Sequence, residues 1–128
     1  MMMADCLVSA KGAVRFNLPV PPSANNLFVS GVSRRVKAPA YRAWLREAGW
    51  RLKLQIPPTA AMCATVAGPV RVRIEAGLAR RRDLDNAIKG ILDLLVRHRV
   101  IEDDSLVDDL HILRMGEAGE AEISIWPM

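Results

Sequence analysis

Apolar and polar positions first alternate at Val14, Phe16 and Leu18, with Arg15 and Asn17 between them. A period of two puts the apolar set on one face, so a half-buried β-strand is predicted there. Pro19-Val20-Pro21-Pro22 stops it, because proline cannot donate to a ladder. Ser23 to Lys37 shows neither period and reads as a long loop with a basic end. Behind Pro39 the period changes. Tyr41, Trp44, Leu45, Ala48 and Leu52 fall at helical spacing, which predicts a first helix from about Pro39 to Lys53 with its aromatics in the core. Pro57-Pro58 ends it, and Thr59 to Gly68 is a small, apolar connector. Val70, Val72, Ile74 and Ala76 then alternate with Arg71, Arg73 and Glu75 in a second strand. Leu84, Ile88, Ile91, Leu92, Leu95 and Val96 mark a second amphipathic helix. Asp85 suits its N-cap or first turn, where the helix dipole favours a carboxylate. Val107 to Met115 reads as a strand, Gly116 to Gly119 as a turn, and Ala121, Ile123 and Ile125 as the inward face of a last strand.

The order β-α-β-α-β-β over 128 residues predicts a single α+β domain, a mixed sheet with helices packed on it. Neither flank of the connector would bury a core alone. Residues 1–12 are expected to be frayed. The net charge of +4 is a modest excess, compatible with a nucleic-acid partner without requiring one. Cys6 and Cys63 stand alone with no Cys/His ligand spacing, which argues against a zinc site or disulfide framework and points to a reducing, cytoplasmic setting. Met1 to Asp5 carries no basic region and no long apolar run, so neither a signal peptide nor a membrane span is expected.

The stretch from Arg80 to Asp104 changes the picture. Arg80-Arg81-Arg82 runs straight into Asp83-Leu84-Asp85-Asn86, Lys89 follows, and Glu102-Asp103-Asp104 arrives after a helix-length spacer. Two carboxylates about 4 Å apart repel by roughly 1–4 kcal/mol, so a structure that gathers them needs a cation between them. Hard oxygen ligands suit Mg²⁺ or Mn²⁺. Adjacent arginines suit a substrate that carries phosphates. Asp83 and Asp85 share a face in extended backbone but diverge by about 200° within a helix. The pair therefore chelates only if the helix starts at or after Asp85. Lys89 then lies one turn up on Asp85's face, placed to meet a phosphate oxygen. Asp93, one turn further, reads as the partner of Lys89 or as a solvated residue.

Asp104 raises a question of reach. A helix from Asp85 to about Arg97 is roughly 20 Å long. His98 to Asp104 spans about 23 Å at most. Asp104 returns to the start of the helix only if that segment runs back along it; otherwise it reaches the metal site of a second subunit. The sequence leaves both open. Each part also has an ordinary alternative: an Asp-x-Asp that caps a helix, a solvated arginine turn, an exposed helical lysine. His98 and His111 read as surface or core histidines without a ligand role. The conjunction carries the reading.

At these residues the sequence resembles the RusA family of Holliday-junction resolvases. The resemblance rests on Arg81-Arg82-Asp83-Leu84-Asp85-Asn86 with Lys89, then Asp93, Asp103-Asp104 and Val107. Leu18-Pro19-Val20-Pro21-Pro22-Ser23-Ala24-Asn25-Asn26 and Tyr41-Arg42-Ala43-Trp44 add to it. Two departures stand out: Ala24 is an extra residue in the proline-asparagine element, and Arg99 occupies a place where glycine is usual, which removes an easy helix C-cap. The resemblance implies that Asp83, Asp85 and Asp104 are Mg²⁺-binding catalytic aspartates and Lys89 an essential lysine. It implies DNA contacts from Ser23, Asn25, Asn26, Arg80, Arg81 and Arg82, with Asn86 and Asp103 in support. It further implies an intertwined homodimer whose two equivalent sites make paired symmetric nicks in four-way junction DNA. The competing expectation is a non-catalytic module for branched DNA or structured RNA, whose acids serve folding alone. A Mg²⁺-dependent phosphotransferase would need a glycine-rich phosphate loop, and the sequence has none.

Overall fold

The computed structural model describes residues 14–22, 28–30, 35–37, 39–56, 65–82 and 84–128, with backbone only for 28–30, 35–37 and 86. The expected fraying of residues 1–12 lies outside these residues. The alternating segments form strands as anticipated: β1 (Val14–Pro19), β4 (Val70–Ala76), β5 (Val107–Arg114) and β6 (Glu120–Pro127) make one mixed sheet in the order β1-β6-β4-β5. β6 is antiparallel to β1 and β4, whereas β4 and β5 are parallel. A parallel pair needs a crossover, and the second helix supplies it.

The reading of 23–37 as loop throughout is corrected. Phe28–Ser30 (β2) and Arg35–Lys37 (β3) pair antiparallel, with Val29 opposite Val36. Strands of three residues are too short for a period of two to show.

Helix α1 (Pro39–Gln55) runs two residues past the expected end. It buries Tyr41, Trp44, Ala48 and Leu52 against the sheet face that carries Phe16, Leu18, Ile74, Ile123 and Ile125. Gln55 closes the free edge of β1: its carboxamide accepts from Asn17 N at 2.7 Å and donates to Asn17 O at 2.6 Å. Such edge cover blocks stray strand pairing. Arg51 grips the Glu120 carboxylate with both guanidinium ends, at 3.0 and 2.5 Å, and ties α1 to β6.

Helix α2 (Ile88–Arg97) is preceded by a 3₁₀ turn, Leu84–Ala87. Asp85 therefore lies in the first turn of that 3₁₀ segment, one of its two expected places, and not at the N-cap of α2, which is Ala87 and makes no side-chain cap. Ala87 itself is fully buried in the core. At the other end the missing glycine does not cost the cap. Arg99 takes φ +58, Arg99 N donates to Val96 O at 3.1 Å, and Val100 N donates to Leu95 O at 2.8 Å. That pair of bonds is a Schellman motif with arginine in the left-handed position, and Val100 is buried beside Leu94 and Leu95.

Candidate functional site

The segment that leads to the acidic stretch is strapped down on both sides. Gly77 N donates to Glu120 O at 2.8 Å and Gly119 N to Gly77 O at 2.9 Å. Only glycine fits, since a Cβ at 77 would lie 2.0 Å from Glu117 O. Arg114, at the end of β5, donates to Ala79 O at 2.6 Å and to Arg82 O at 2.9 Å. Arg82 in turn donates to Pro21 O at 2.8 Å. Arg82 thus braces this segment against the proline element. Its two neighbours, Arg80 and Arg81, are exposed. A cleft of about 500 Å³ opens here, lined by Val20, Leu78, Arg82, Arg114 and Met115; Asp85, Lys89 and Asp104 are not among its walls.

Asp85 and Lys89 are both exposed. Neither takes part in a hydrogen bond or ion pair among the described residues. Asp93 is not the partner of Lys89. Its carboxylate accepts from the buried Tyr41 hydroxyl at 3.0 Å, which locks α1 to α2. Burial, and then the bond to Asp93, pushes the Tyr41 phenol up to about 12.

Asp103 and Asp104 have split duties. The Asp103 carboxylate accepts from Ser105 N at 3.1 Å and from the Ser105 hydroxyl, capping a 3₁₀ turn over Asp104–Leu106. These bonds hold its carboxyl below the usual range. Asp104 sits in that turn, exposed, with no side-chain partner among the described residues. Just beyond it the β4–β5 register slips, so that Asp108 is an extra residue between Val107 and Asp109. Bulges of this kind re-aim neighbouring side chains.

Asp85 stands at the start of the crossover and Asp104 at its end. Val100 N and Ile101 N both reach Leu95 O, at 2.8 and 3.4 Å, so the chain is pinned at the far part of α2. Leu95 is about 15 Å along the helix from Asp85. Ile101 to Asp104 recovers about 10 Å at most, and only if fully extended; Asp104 instead opens a turn. No group of three His, Cys, Asp or Glu able to hold a metal gathers among the described residues. Asp83, Ser23, Asn25 and Asn26 lie outside them, as does the Asn86 side chain.

Pattern reading missed Arg114 and the Tyr41–Asp93 bond. Arg114 closes an otherwise apolar-periodic strand and gave no signal. Tyr41 and Asp93 each sat at a plausible position, but only the packing of α1 on α2 pairs them.

The helical crossover between parallel strands thus carries exposed Asp85 and Lys89 at its start and exposed Asp104 at its end. The family model described as Endodeoxyribonuclease RusA matches residues 19–126. A crossover junction endodeoxyribonuclease of Enterobacteria phage HK97 is 33% identical over 105 residues, covering 78% of this chain and 81% of the relative. The corresponding enzyme of Escherichia coli K12 is 30% identical over 115 residues, covering 87% and 92%, and that of Aquifex aeolicus 28% over 113 residues, covering 84% and 82%. The chain belongs to the RusA family of endodeoxyribonucleases. No helix among the described residues is long and apolar enough to cross a membrane.

Proposed function

We propose that this protein is a crossover-junction endodeoxyribonuclease that resolves four-way DNA junctions as a homodimer, with Mg²⁺ as its cofactor. One observation carries the reading. Within the acidic and basic stretch, the fold commits Arg82, Asp93, Asp103 and Arg114 to structural bonds, and leaves Asp85, Lys89, Asp104, Arg80 and Arg81 exposed and unpaired among the described residues. Uncommitted carboxylates form an all-oxygen donor set of the kind a hard divalent cation takes. Asp85 and Asp104, with Asp83, would hold it. When bound, such an ion polarises a phosphoryl oxygen and acidifies a water.

The chain's own groups do the rest. The Lys89 ammonium stabilises the negative charge that builds on the phosphoryl group as a water oxygen joins phosphorus and the bridging oxygen leaves. Arg80 and Arg81 hold flanking phosphates. The crossover topology favours Asp104 acting at the site of a second subunit, because α2 separates it from Asp85 within one chain. A C₂ dimer then carries two composite sites, matching two symmetric nicks.

The test is incubation with a synthetic four-way junction and with a linear duplex of the same sequence, with and without Mg²⁺. Paired nicks at symmetric positions near the crossover, only in the junction and only with the metal, are expected. Metal-independent binding without nicks would support the non-catalytic module instead.

A further inference from the structure

Arg71 and Arg73 of β4 are paired, with Asp109 and Glu75, and Arg51 of α1 is paired with Glu120 of β6. The outer face of α1 breaks this pattern. Arg42, Arg46, Trp50 and Lys53 are all exposed, Trp50 at 65%. At 3.6 residues per turn the four fall within an arc of about 80°. None of the three cations has an ion-pair partner among the described residues, although the Lys53 ammonium lies 5.9 Å from the Trp50 ring centroid. Like charge accumulates at the far end of the stripe, where Lys53 and Arg97 both bear on His98.

The stripe starts beside the candidate site. Tyr41, next to Arg42, is bonded to Asp93 of α2. A Cβ at Gly90, next to Lys89, would lie 3.1 Å from Pro21 and 3.7 Å from the Trp44 ring. The start of α1, the proline element and the first turn of α2 therefore meet at one place, and the stripe leads away from it. From Arg42 to Lys53 it is about 16 Å long, close to five base pairs at 3.4 Å each.

Resting on the junction-nuclease reading, we infer that the outer face of α1 is the track for one duplex arm of the DNA substrate. Arg42, Arg46 and Lys53 contact successive phosphates, and the flat Trp50 ring between them packs on the sugar-phosphate backbone. An exposed indole among unpaired cations is the combination that nucleic acid covers on both counts, charge and apolar surface.

The experiment compares the parent with an Arg42→Ala/Arg46→Ala/Lys53→Ala variant and with Trp50→Ala and Trp50→Phe. Each binds Mg²⁺-free junctions with arms of about five base pairs or with arms several times longer, over a salt titration. The parent is expected to bind the long-arm junction more tightly. The triple variant should lose that arm-length dependence, weaken at least on the order of 10-fold on long arms, and show a log–log salt slope smaller by about 3 for each α1 face engaged, about 5 for a dimer that uses both. Trp50→Phe should retain what Trp50→Ala loses. Parent and variants that share one arm-length dependence and one salt slope would overturn the inference. So would a triple variant that has become monomeric by sedimentation, since the face would then join copies of the chain. A parent that binds no junction at any arm length would instead sink the functional reading beneath it.

Discussion

Arg99 offers a sharp test of how this chain ends its second helix. It holds φ +58 in a Schellman motif, a conformation that costs an L-residue about 1–2 kcal/mol and glycine almost nothing. Replacing it with glycine removes that cost but adds chain entropy to the unfolded state, worth about 0.4–1 kcal/mol. The net gain is about 0.5–1 kcal/mol, which for a chain of this size raises Tm by roughly 2–5 °C. The side chain is exposed, so little packing is lost. Arg99→Ala provides the control, because alanine keeps the Cβ and so keeps the strain. Thermal unfolding followed by circular dichroism should place Arg99→Gly above the parent and Arg99→Ala near it. A lower Tm for Arg99→Gly, or an equal rise for both variants, would refute the strain argument.

Other substitutions test the site's supports. Tyr41→Phe should lose about 1.5–3 kcal/mol at neutral pH, the usual worth of a hydrogen bond to a charged group, as read by urea unfolding. Burial and the bond to Asp93 push the folded phenol up to about 12 from 10.0, so its stabilisation is full below pH 10 and is lost as pH rises through 12. Tyr41→Phe should therefore lose less stability than the parent between pH 10 and 12, and parallel curves would contradict this. Gly77→Ala should cost at least about 3 kcal/mol, since its Cβ meets the Glu117 carbonyl; a Tm within a degree or two of the parent would show that the turn moves aside freely. Arg82→Ala should lower stability by about 1–2 kcal/mol, while Arg81→Ala should leave it unchanged and weaken junction binding; the reverse assignment would make Arg82 the DNA ligand.

The principal strands and both helices were legible because each buries one face, and burial writes a period into the sequence. Val70, Val72, Ile74 and Ala76 alternate because α1 and α2 cover one side of β4. The β2–β3 hairpin was not legible, since three residues carry no period. The acidic stretch announced itself by composition, yet the division of labour within it did not. Asp103 and Asp104 are identical letters, and only the turn decides that one caps Ser105 while the other faces solvent. Arg80, Arg81 and Arg82 likewise look alike until the Pro21 carbonyl claims the third. The pattern puts Asp93 on the second helix but leaves it to Lys89 or to solvent, because its actual partner, Tyr41, comes from a helix 52 residues away in sequence.

Junction nicking by Asp85→Asn, Asp104→Asn and an equimolar mixture of the two, with Mg²⁺ present, tests the proposed composite site most directly. With Asp104 acting across a dimer as proposed, each variant alone should bind the junction and leave it uncut, because each would lack a carboxylate at both sites. Mixed dimers regain one site with both carboxylates, so the mixture should nick a single strand. Cleavage at the parent rate by either variant alone would contradict the account, and a mixture that stays inert would place both aspartates at a site within one chain.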